Sequence, residues 1–565
     1  MTARRPRRLL LSSVCQPFGE AHGDGFGVSF EGSHQLMWAQ GIFRTRGTTT
    51  QWGIDFIAAN LQIPTTTLHY PTLEQFIAEL RRGYDYVGIA FVSSTLHKLI
   101  PMVKAVRQHA PGTQIILGGY GTALDRSILE PLSDHICRGE GVRFMRELLG
   151  EPVDAPLVQP EIVQQQRLFS LPIVDKTAYV FAGLGCPNGC DFCATSHYYG
   201  RRHLKILPDG PSILGAIQKI RVRHPDMVSY WINDEDFLLD PARGKGFLQA
   251  IRQTELPPLS LACFSSVKAL SQYSAAELVE MGIDWIWVGF EGKRAGYTKM
   301  QGRPFRELFA DLHQHGISVM ASMIIGFDYQ KRETIEEEYE ELLSMRPTMC
   351  QFLIYGPAHN TPAYARLDAE GRIDHSVMSD HHLHDGFSLG FKHPNFTGPE
   401  LEAIQRRLYR EEFARLGPSV LRIGEDWLTG YEALRNHPAP RVRAKAEKYG
   451  RDAHMVMTLC DASTRYVNPA VARWIGDLKQ RIAAATGPMT ARERLIARAM
   501  PAALRYTDFK LRHGLDLQPT FTRRSFRMSP TQRRFEAWAA RAREQSRDLA
   551  AAIGRSAAGL RDDVV

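Results

Sequence analysis

A regular alternation of strand-like and helix-like segments between residues 176 and 372 constrains the fold of this chain more than any other feature. Apolar runs with the spacing of strands, such as MVSYWIND and SVMASMIIGF, alternate with stretches that have the spacing of helices, such as PSILGAIQKIRVRH and ETIEEEYEELLSM. Strands separated by helices pair in parallel, because the chain has to cross back over the sheet before the next strand begins. Together with the opening strand AYVFAGLG, the region contains six β/α units. The sequence therefore predicts a parallel partial barrel.

A second alternating pattern covers residues 1–150 and predicts a separate α/β domain. Its strands are RRLLLSSV, TTTLHY, YDYVGIAFVSS and TQIILGGYGTAL, with helical segments such as TLEQFIAELRRG between them. A doubly wound sheet of this kind binds its ligand over the carboxyl ends of the strands. Gly118, Gly119 and Gly121 lie at such an end, where missing side chains let a bulky, flat ligand approach the backbone.

The rest of the chain divides into a linker and a helical region. Residues 151–175 are rich in proline and glutamine, which predicts a linker between the first domain and the barrel at 176–375. Residues 376–565 are mainly helical in pattern, and from Leu401 to Val565 we count 31 Lys and Arg against 18 Asp and Glu. Solvated, arginine-rich helices are the simplest explanation of this charge, and an anionic partner is the alternative.

Three of the eight cysteines lie within eight positions, in the loop GLGCPNGCDFCATS that follows the first barrel strand. A disulfide would leave one of Cys186, Cys190 and Cys193 over, and a structural zinc site would need a fourth ligand such as His197. Three thiolates can also hold a 4Fe–4S cluster whose fourth iron stays open for another ligand. The loop is expected at the carboxyl end of a strand, where the active sites of β/α barrels lie.

The CxxxCxxC spacing, the aromatic residue before the third cysteine and the six-unit barrel together resemble the radical S-adenosylmethionine (SAM) superfamily. The resemblance implies a 4Fe–4S cluster on Cys186, Cys190 and Cys193, which binds SAM at its open iron and cleaves it to a 5′-deoxyadenosyl radical. Strand-end segments such as WINDEDF, CFSS, GFEG and IIGFD imply a SAM site that includes Phe192, Asn233, Ser265, Glu291 and Gly326. Asp234 and Asp236 are further candidates at the second strand end.

The first domain resembles the cobalamin-binding domain that precedes the barrel in one class of this superfamily. The resemblance is carried by FVSST, ILGGYGTA and DHICRGEG. It implies a cobalamin site that includes Ser93, Ser94, Gly118, Gly119, Gly139 and Glu140. The segment EAHGDG carries His22, but most members of the class have no histidine below the cobalt, so we interpret His22 as a loop residue.

The implied function is that of a cobalamin-dependent radical SAM enzyme, most simply a methyltransferase acting on an unactivated carbon of a small-molecule, lipid or natural-product substrate. A non-methylating cyclase or oxidase acting on a tetrapyrrole or lipid, and a non-catalytic cobalamin and iron–sulfur sensor, are the alternatives. A methylthiolating RNA enzyme is set aside, because that class needs three further cysteines in the first domain and only Cys15 and Cys137 occur there.

Several other features carry weaker expectations. Met37, Trp38 and Phe43 lie in a long insertion and are expected either to cover the ligand or to pack on the sheet. The five remaining cysteines are expected to be buried, unreactive thiols: Cys15, Cys137, Cys263, Cys350 and Cys460. A group of histidines near the barrel mouth is expected to make capping or substrate contacts rather than to bind a metal: His359, His375, His381, His382, His384 and His393.

Composition indicates where the protein works and what it meets. Scattered cysteines and the lack of a long apolar stretch predict a cytoplasmic protein. A radical SAM enzyme also needs an electron donor of the flavodoxin or ferredoxin type, and nucleic acid is not an expected partner. The segment FTRRSFRMSPTQRRFEAWAARAREQ mixes basic and aromatic residues, which suits peripheral contact with a membrane.

Overall fold

The structure is a computed structural model that describes residues 7–16, 38–47, 50–292, 294–378, 381–515 and 519–527. The strands are β1 Leu9–Ser13, β2 Arg46–Gly47, β3 Thr65–His69, β4 Tyr86–Ala90, β5 Gln114–Gly118, β6 His135–Ile136, β7 Val163–Leu168, β8 Leu171–Phe181, β9 Gly183–Leu184, β10 Leu204–Lys205, β11 Ser229–Asn233, β12 Ser260–Phe264, β13 Ile283–Glu291, β14 Ser318–Ile325, β15 Met349–Ile354 and β16 Thr522–Phe526.

The α-helices are α1 Trp52–Ala59, α2 Leu73–Leu80, α3 Leu96–His109, α4 Arg126–Leu129, α5 Gly141–Leu149, α6 Ala194–Tyr198, α7 Gly210–Arg223, α8 Pro241–Arg252, α9 Val267–Leu270, α10 Ala275–Met281, α11 Phe305–Gln314, α12 Arg332–Ser344, α13 Pro362–Ala369, α14 His375–Met378, α15 Gly398–Leu416, α16 Ser419–Leu434, α17 Pro440–Ser463, α18 Pro469–Thr486 and α19 Ala491–Arg512. Short 3-10 helices cover Trp38–Phe43, Ser93–Thr95, Tyr120–Ala123, Glu130–Leu132, Thr298–Met300, His381–Leu383 and Thr464–Tyr466.

The first sheet has the strand order β16-β3-β1-β4-β5-β6, and β1, β3, β4, β5 and β6 run parallel. Its two faces are covered by different helices, as the alternation along β1 shows. Leu10 packs with residues of α2 and α3, whereas Leu9 and Leu11 pack with residues of α1 and α5. Every residue of β1 is buried, because helices cover both faces of the sheet. The doubly wound first domain predicted from the sequence is confirmed.

The edge of this sheet is closed by β16, a strand from the C-terminal region that the sequence analysis did not predict. It pairs antiparallel with β3. Arg523 of β16 pairs with Glu79 at 2.9 Å, and Arg524 pairs with the fully buried Asp55, also at 2.9 Å. The C-terminal region is therefore tied to the first domain by a strand and two ion pairs.

The second sheet has the order β15-β14-β13-β12-β11-β8-β7-β2. Its six parallel strands, β8 and β11 to β15, follow each other in chain order, which confirms the predicted partial barrel. Residues 151–175, predicted as a linker, contain β7 and the first part of β8, and β7 pairs antiparallel with β8. The register between β13 and β14 shifts between Gly289 and Glu291, at the carboxyl end of the barrel.

Helices α15 to α19 form the third region, and the predicted helical character of this region is confirmed. The ring of Trp38 lies 5.8 Å from that of Tyr409, and the ring of Phe43 lies 5.7 Å from that of Phe169 and 6.1 Å from that of Phe413. These two residues of the insertion therefore pack against α15 and the β7–β8 turn. Met37 and His22 lie outside the described residues.

Helix α19 leaves large apolar side chains exposed, among them Leu495, Tyr506 and Phe509. Most of the basic and aromatic segment that follows lies outside the described residues, so contact with a membrane stays a prediction. In the part of the chain that the structure describes, no helix combines the length and the apolar character that crossing a bilayer requires.

Candidate functional site

A cavity of about 1270 Å³ lies between the two sheets. The carboxyl ends of β4 and β5, the cysteine loop and the inner face of the barrel all border it. Most of the predicted site residues line this space, namely Cys186, Cys190, Cys193, Phe192, Asn233, Ser265, Glu291, Gly118, Gly119, Gly139 and Glu140. Three do not: Ser93 and Ser94 lie in the short helix before α3, and Gly326 faces Leu401 of α15. The fold thus brings residues from both halves of the chain to one space.

The cysteine loop is shaped by a compact set of hydrogen bonds. Ser196 donates from Oγ to the Cys186 carbonyl at 2.6 Å, and the Cys193 amide donates to the Cys190 carbonyl at 3.0 Å. Nε2 of His197 lies 3.1 Å from the Cys190 carbonyl, so this nitrogen serves the backbone of the loop. Gly189 has φ of +69°, the left-handed region that glycine adopts most easily. These contacts fix the backbone of the loop that carries the three cysteines.

Burial governs the titration of these thiols. It raises the pKa of Cys186 to about 11, and it raises the pKa of Cys190 to about 12 against the opposing effect of the nearby Lys299 ammonium. Only thiolates bind iron, so assembly of a cluster on this loop must release protons. Among the described residues, no three His, Cys, Asp or Glu side chains are grouped so that they could hold a metal ion.

Glu291 ends β13 in an unusual conformation. Its φ is +59°, although it is not a glycine, and it follows the register shift at Gly289. A Cβ atom on Gly289 would lie 2.2 Å from Oε1 of Glu291, so only glycine at 289 lets this carboxylate fold back. Strained backbone of this kind costs about 1–3 kcal/mol and is concentrated at functional sites. The backbone conformation at Glu291 thus fixes the direction of its carboxylate, which the resemblance implies binds SAM.

Lys299 is a site residue that the sequence analysis missed. Its ammonium group pairs with the carboxylate of Glu291 and lies 5.6 Å from the centre of the Phe192 ring. Burial acts to lower its pKa, but the Glu291 carboxylate and the Cys190 thiol outweigh this and raise the pKa above its usual value. Lys299 lies in a short 3-10 helix eight residues beyond Glu291, and no pattern in the sequence marks it.

The acidic residues after β11 play two different parts: Asp234 and Asp236 hold loops together, and Glu235 faces the cavity. Asp234 is buried and accepts hydrogen bonds from Arg243 at 2.7 Å and His203 at 3.1 Å, which hold its pKa low against the effect of burial. Asp236 accepts from Asn188 at 3.0 Å and from the Ser266 amide at 3.0 Å. Both carboxylates therefore tie neighbouring loops together.

Glu235, between them, faces the cavity and was not singled out from the sequence. Tyr120 of the first domain donates a hydrogen bond to it at 3.3 Å. Burial first, and then the charge of Asp234, raise its pKa to about 7. Glu235 therefore combines a position between the two domains with a pKa close to neutrality.

The first sheet presents an open backbone surface to the cavity. A Cβ atom added to Gly118 or Gly139 would meet no atom within 4 Å, whereas Gly119, with φ of +85°, lies against the Phe91 carbonyl. Glu140 does not extend into this space as a free carboxylate, because it caps α5 by accepting from the amides of Val142 and Arg143. The bare backbone at Gly118 and Gly139 fits the flat ligand that the resemblance implies.

The histidines predicted near the barrel mouth do not line the cavity. Nε2 of His393 lies 3.0 Å from the Phe327 carbonyl, and Nε2 of His384 lies 3.0 Å from the Met378 carbonyl. His359 stacks on Tyr364 at 4.6 Å. The carbonyl contacts of His393 and His384 agree with the capping role expected from the sequence. Of the other three histidines, His375 lies in α14, and the ring of His381 lies 5.2 Å from that of His384. The side chain of His382 is outside the described residues.

The five cysteines outside the loop are buried, as predicted. Burial raises the pKa of Cys137 to about 12, and the same cause acts on Cys15, Cys263, Cys350 and Cys460. Of the five, Cys137 alone borders the cavity in the described structure.

Comparison with known proteins identifies relatives along much of the chain. An uncharacterised methyltransferase of Pyrococcus horikoshii is 21% identical over 60% of this chain and 80% of its own length. A bacteriochlorophyllide d C-12(1)-methyltransferase of Chlorobaculum tepidum is 23% identical over 59% of this chain and 75% of its own. An anaerobic magnesium-protoporphyrin IX monomethyl ester cyclase of Rubrivivax gelatinosus is 20% identical over 48% of this chain and 56% of its own. No protein-family model matches the sequence.

The fold is shared with a solved structure. The radical S-adenosylmethionine methyltransferase TsrM of Kitasatospora setae, determined with a tryptophan substrate and a SAM analogue, superimposes with a TM-score of 0.50. The match covers 79% of this chain and 99% of that protein, at 12% sequence identity. The fold of this chain is therefore similar to that of a known enzyme.

Proposed function

We propose that this chain is a radical SAM enzyme of the cobalamin-binding class, and that it methylates an unactivated carbon of a small-molecule, lipid or natural-product substrate. The resemblance implies a 4Fe–4S cluster, SAM and cobalamin as its cofactors. When bound, the cluster supplies the electron that cleaves SAM to a 5′-deoxyadenosyl radical, and cobalamin supplies a cobalt atom that can carry a methyl group.

One observation carries the proposal, namely the continuity of the cavity. Cys186, Cys190 and Cys193 would hold the cluster, and Asn233, Ser265 and Glu291 border the same space and would hold SAM. Gly118, Gly119 and Gly139 open into it from the opposite side and would face the corrin ring. A reaction that uses both cofactors needs them within one enclosed volume, and cofactors carry the chemistry while the protein orients them.

The residues of the chain have distinct tasks in this reaction. The Glu291 carboxylate would accept a hydrogen bond from the ammonium group of SAM and so fix its amino acid portion. The Lys299 ammonium neutralises the charge of the Glu291 carboxylate and places a positive charge near the sulfur atoms of Cys190 and Cys193. Aromatic rings around Phe192 exclude water: those of Tyr297, Tyr355 and Phe327 lie 5.2, 6.1 and 6.4 Å from it. A dry wall protects a reactive radical from side reactions.

The experiment is product analysis on anaerobically reconstituted protein. With SAM, a strong reductant, hydroxocobalamin and the true substrate, we expect 5′-deoxyadenosine, S-adenosylhomocysteine and a product heavier by one methylene unit. Glu291→Ala should weaken SAM binding about tenfold to a hundredfold, because it removes a charge-assisted hydrogen bond of roughly 1.5–3 kcal/mol. Glu277→Ala, which alters an exposed ion pair with Lys245, is the control and should bind SAM normally.

A non-methylating reaction is the second candidate, and the relationship to a cyclase favours keeping it. It would give 5′-deoxyadenosine with the substrate but neither S-adenosylhomocysteine nor a methylated product. Formation of none of these products with any reductant or substrate would overturn both candidates and leave a sensor that binds the cofactors.

A further inference from the structure

The inner face of the barrel carries a group of aromatic side chains that neither cofactor site uses. We name it the aromatic lobe and define it as Trp231, Phe264, Trp285 and Trp287, which border the cavity from β11, β12 and β13. The rings form a continuous wall. Trp231 lies 5.4 Å from Phe264 and 5.3 Å from Trp285, and Phe264 lies 4.7 Å from Trp287.

These rings do not fill the barrel. On the outer face of the same strands, Ile232, Ile286 and Val288 are fully buried, whereas Trp231, Trp285 and Trp287 on the inner face are only half-buried. In a closed β/α barrel the inner side chains interlock in layers and leave no pore. Here the aromatic faces remain open to the cavity, which is the form of a ligand pocket.

Two polar atoms in this region set its chemistry. The indole N–H of Trp287 donates to Ser322 Oγ at 2.5 Å, and that hydroxyl donates to Gln351 Oε1 at 2.8 Å. The indole N–H of Trp231 is buried and finds no acceptor among the described residues. A buried donor without a partner is costly, and buried polar groups nearly always have one. The lobe therefore lacks one hydrogen-bond acceptor.

We propose that the aromatic lobe binds the substrate, and that the substrate presents a flat aromatic ring carrying a hydrogen-bond acceptor to the Trp231 N–H. This inference rests on the proposed function. Tilted aromatic walls suit a ring that makes edge-to-face contacts, because the edge of one ring is attracted to the face of another. The side chains that form the wall are uncharged, so a neutral ring is preferred over an ionic group.

The position of the lobe agrees with this role. Asn233, which borders the SAM site, is two residues beyond Trp231 on β11, so both side chains point to the same face of the sheet. Two residues along a strand span about 6.6 Å. The Asn233 amide nitrogen is also buried without a partner in the described structure. A ring held at Trp231 would thus lie about one side chain away from SAM held at Asn233.

The test compares two probes of the same shape. Quinoline and naphthalene are both flat and bicyclic, but only quinoline carries a ring nitrogen that accepts a hydrogen bond. Binding of each is measured by calorimetry on protein reconstituted with cluster, cobalamin and SAM. We expect quinoline to bind about 2- to 12-fold more tightly than naphthalene, as one net hydrogen bond predicts.

Variants then locate the effect. Trp231→Phe keeps an aromatic ring and removes the donor, so it should lower the affinity for quinoline to that of naphthalene and leave naphthalene unchanged. Trp474→Phe is the matched control, since its indole donates to Glu425 outside the cavity, and both affinities should stay at the wild-type level. Ala262→Phe places a ring inside the lobe and should reduce binding of both probes at least tenfold; Phe264→Leu is a second variant that should weaken both.

The outcomes are separable. Equal affinities of the two probes for the wild-type protein, or an unchanged preference in Trp231→Phe, would overturn the inference. Iron content and SAM binding are measured on the same samples. Probe binding lost in Ala262→Phe with iron and SAM retained supports the lobe as a separate substrate site. If the wild-type protein binds SAM but neither probe, the inference fails and the proposed function stands; if it binds both probes but no iron, the proposed function fails.

Discussion

The ion pair of Lys299 and Glu291 makes a prediction about local stability. The side chain of Glu291 is only 5% exposed and that of Lys299 is 20% exposed, facing the cavity. Lys299→Met keeps an unbranched chain but leaves the carboxylate buried and unpaired. Removing one partner of a buried pair costs about 3–5 kcal/mol, and the partial exposure of Lys299 places this pair near the lower limit. We therefore expect β13 to lose about 3 kcal/mol of local stability.

Amide hydrogen exchange of residues 283–291 in the cofactor-free protein is the suitable assay, because a chain of several domains does not unfold in one step. A loss of about 3 kcal/mol corresponds to exchange roughly a hundredfold faster. The double variant Lys299→Met with Glu291→Gln should return most of this protection, since replacing both members of a buried pair is nearly neutral. Lys245→Met, which breaks the exposed pair with Glu277, should change exchange of its own helix by no more than about fivefold.

A double variant whose β13 amides exchange as fast as those of Lys299→Met would contradict this prediction. That result would mean that Lys299 stabilises the strand by packing and not by neutralising the carboxylate. An unaltered exchange rate in Lys299→Met would also contradict the prediction, because it would show that the buried Glu291 carboxylate needs no cationic partner.

Three further predictions address the cofactor loop, the first sheet and the domain junction. Replacing Cys186, Cys190 and Cys193 together by alanine should abolish iron and the broad visible absorption of the reconstituted protein. Gly118→Leu should fold normally, because a side chain there meets open space, but should weaken hydroxocobalamin binding about fivefold to a hundredfold, as overpacking by 1–3 kcal/mol predicts. Glu235→Gln should flatten the pH dependence of the melting temperature. Its raised pKa of about 7 means that the folded state binds the proton more tightly, so wild-type stability falls as pH rises from about 4.5 to 7.

Each of these has a matched control. Cys263→Ala removes a buried thiol outside the loop and should retain full iron; iron retained in the triple variant would contradict the assignment. Gly112→Leu also meets open space but is exposed on the surface, and it should bind hydroxocobalamin normally. Binding unaffected by Gly118→Leu would place the corrin elsewhere. If the melting temperature of Glu235→Gln still falls between pH 5 and 7, another group must cause the pH dependence.

The features predicted from the sequence are those encoded in contiguous residues. The six barrel strands, the cysteine loop and the Gly118–Gly119 turn are each marked by a local pattern of apolar residues, cysteines or glycines. Lys299 was missed because nothing in its own segment indicates that a register shift at Gly289 turns Glu291 towards it. The pairing of β16 with β3 was missed for a similar reason: it joins strands about 450 residues apart, and the ion pairs that select it form only in the folded chain.

That separation has a consequence for how the protein is made. At ribosomal rates of about 5–20 residues per second, roughly 20–90 seconds pass between synthesis of β3 and synthesis of the strand that covers its edge. During this interval the first sheet has an open edge, and Glu79 and Asp55 lack Arg523 and Arg524, which pair with them in the finished protein. An open edge strand is a site for pairing with another chain. Nascent polypeptides carrying an uncovered β3 on one polysome are therefore exposed to mispairing with each other, and the rate of elongation, or a chaperone that holds this edge, would set the yield of correctly folded protein.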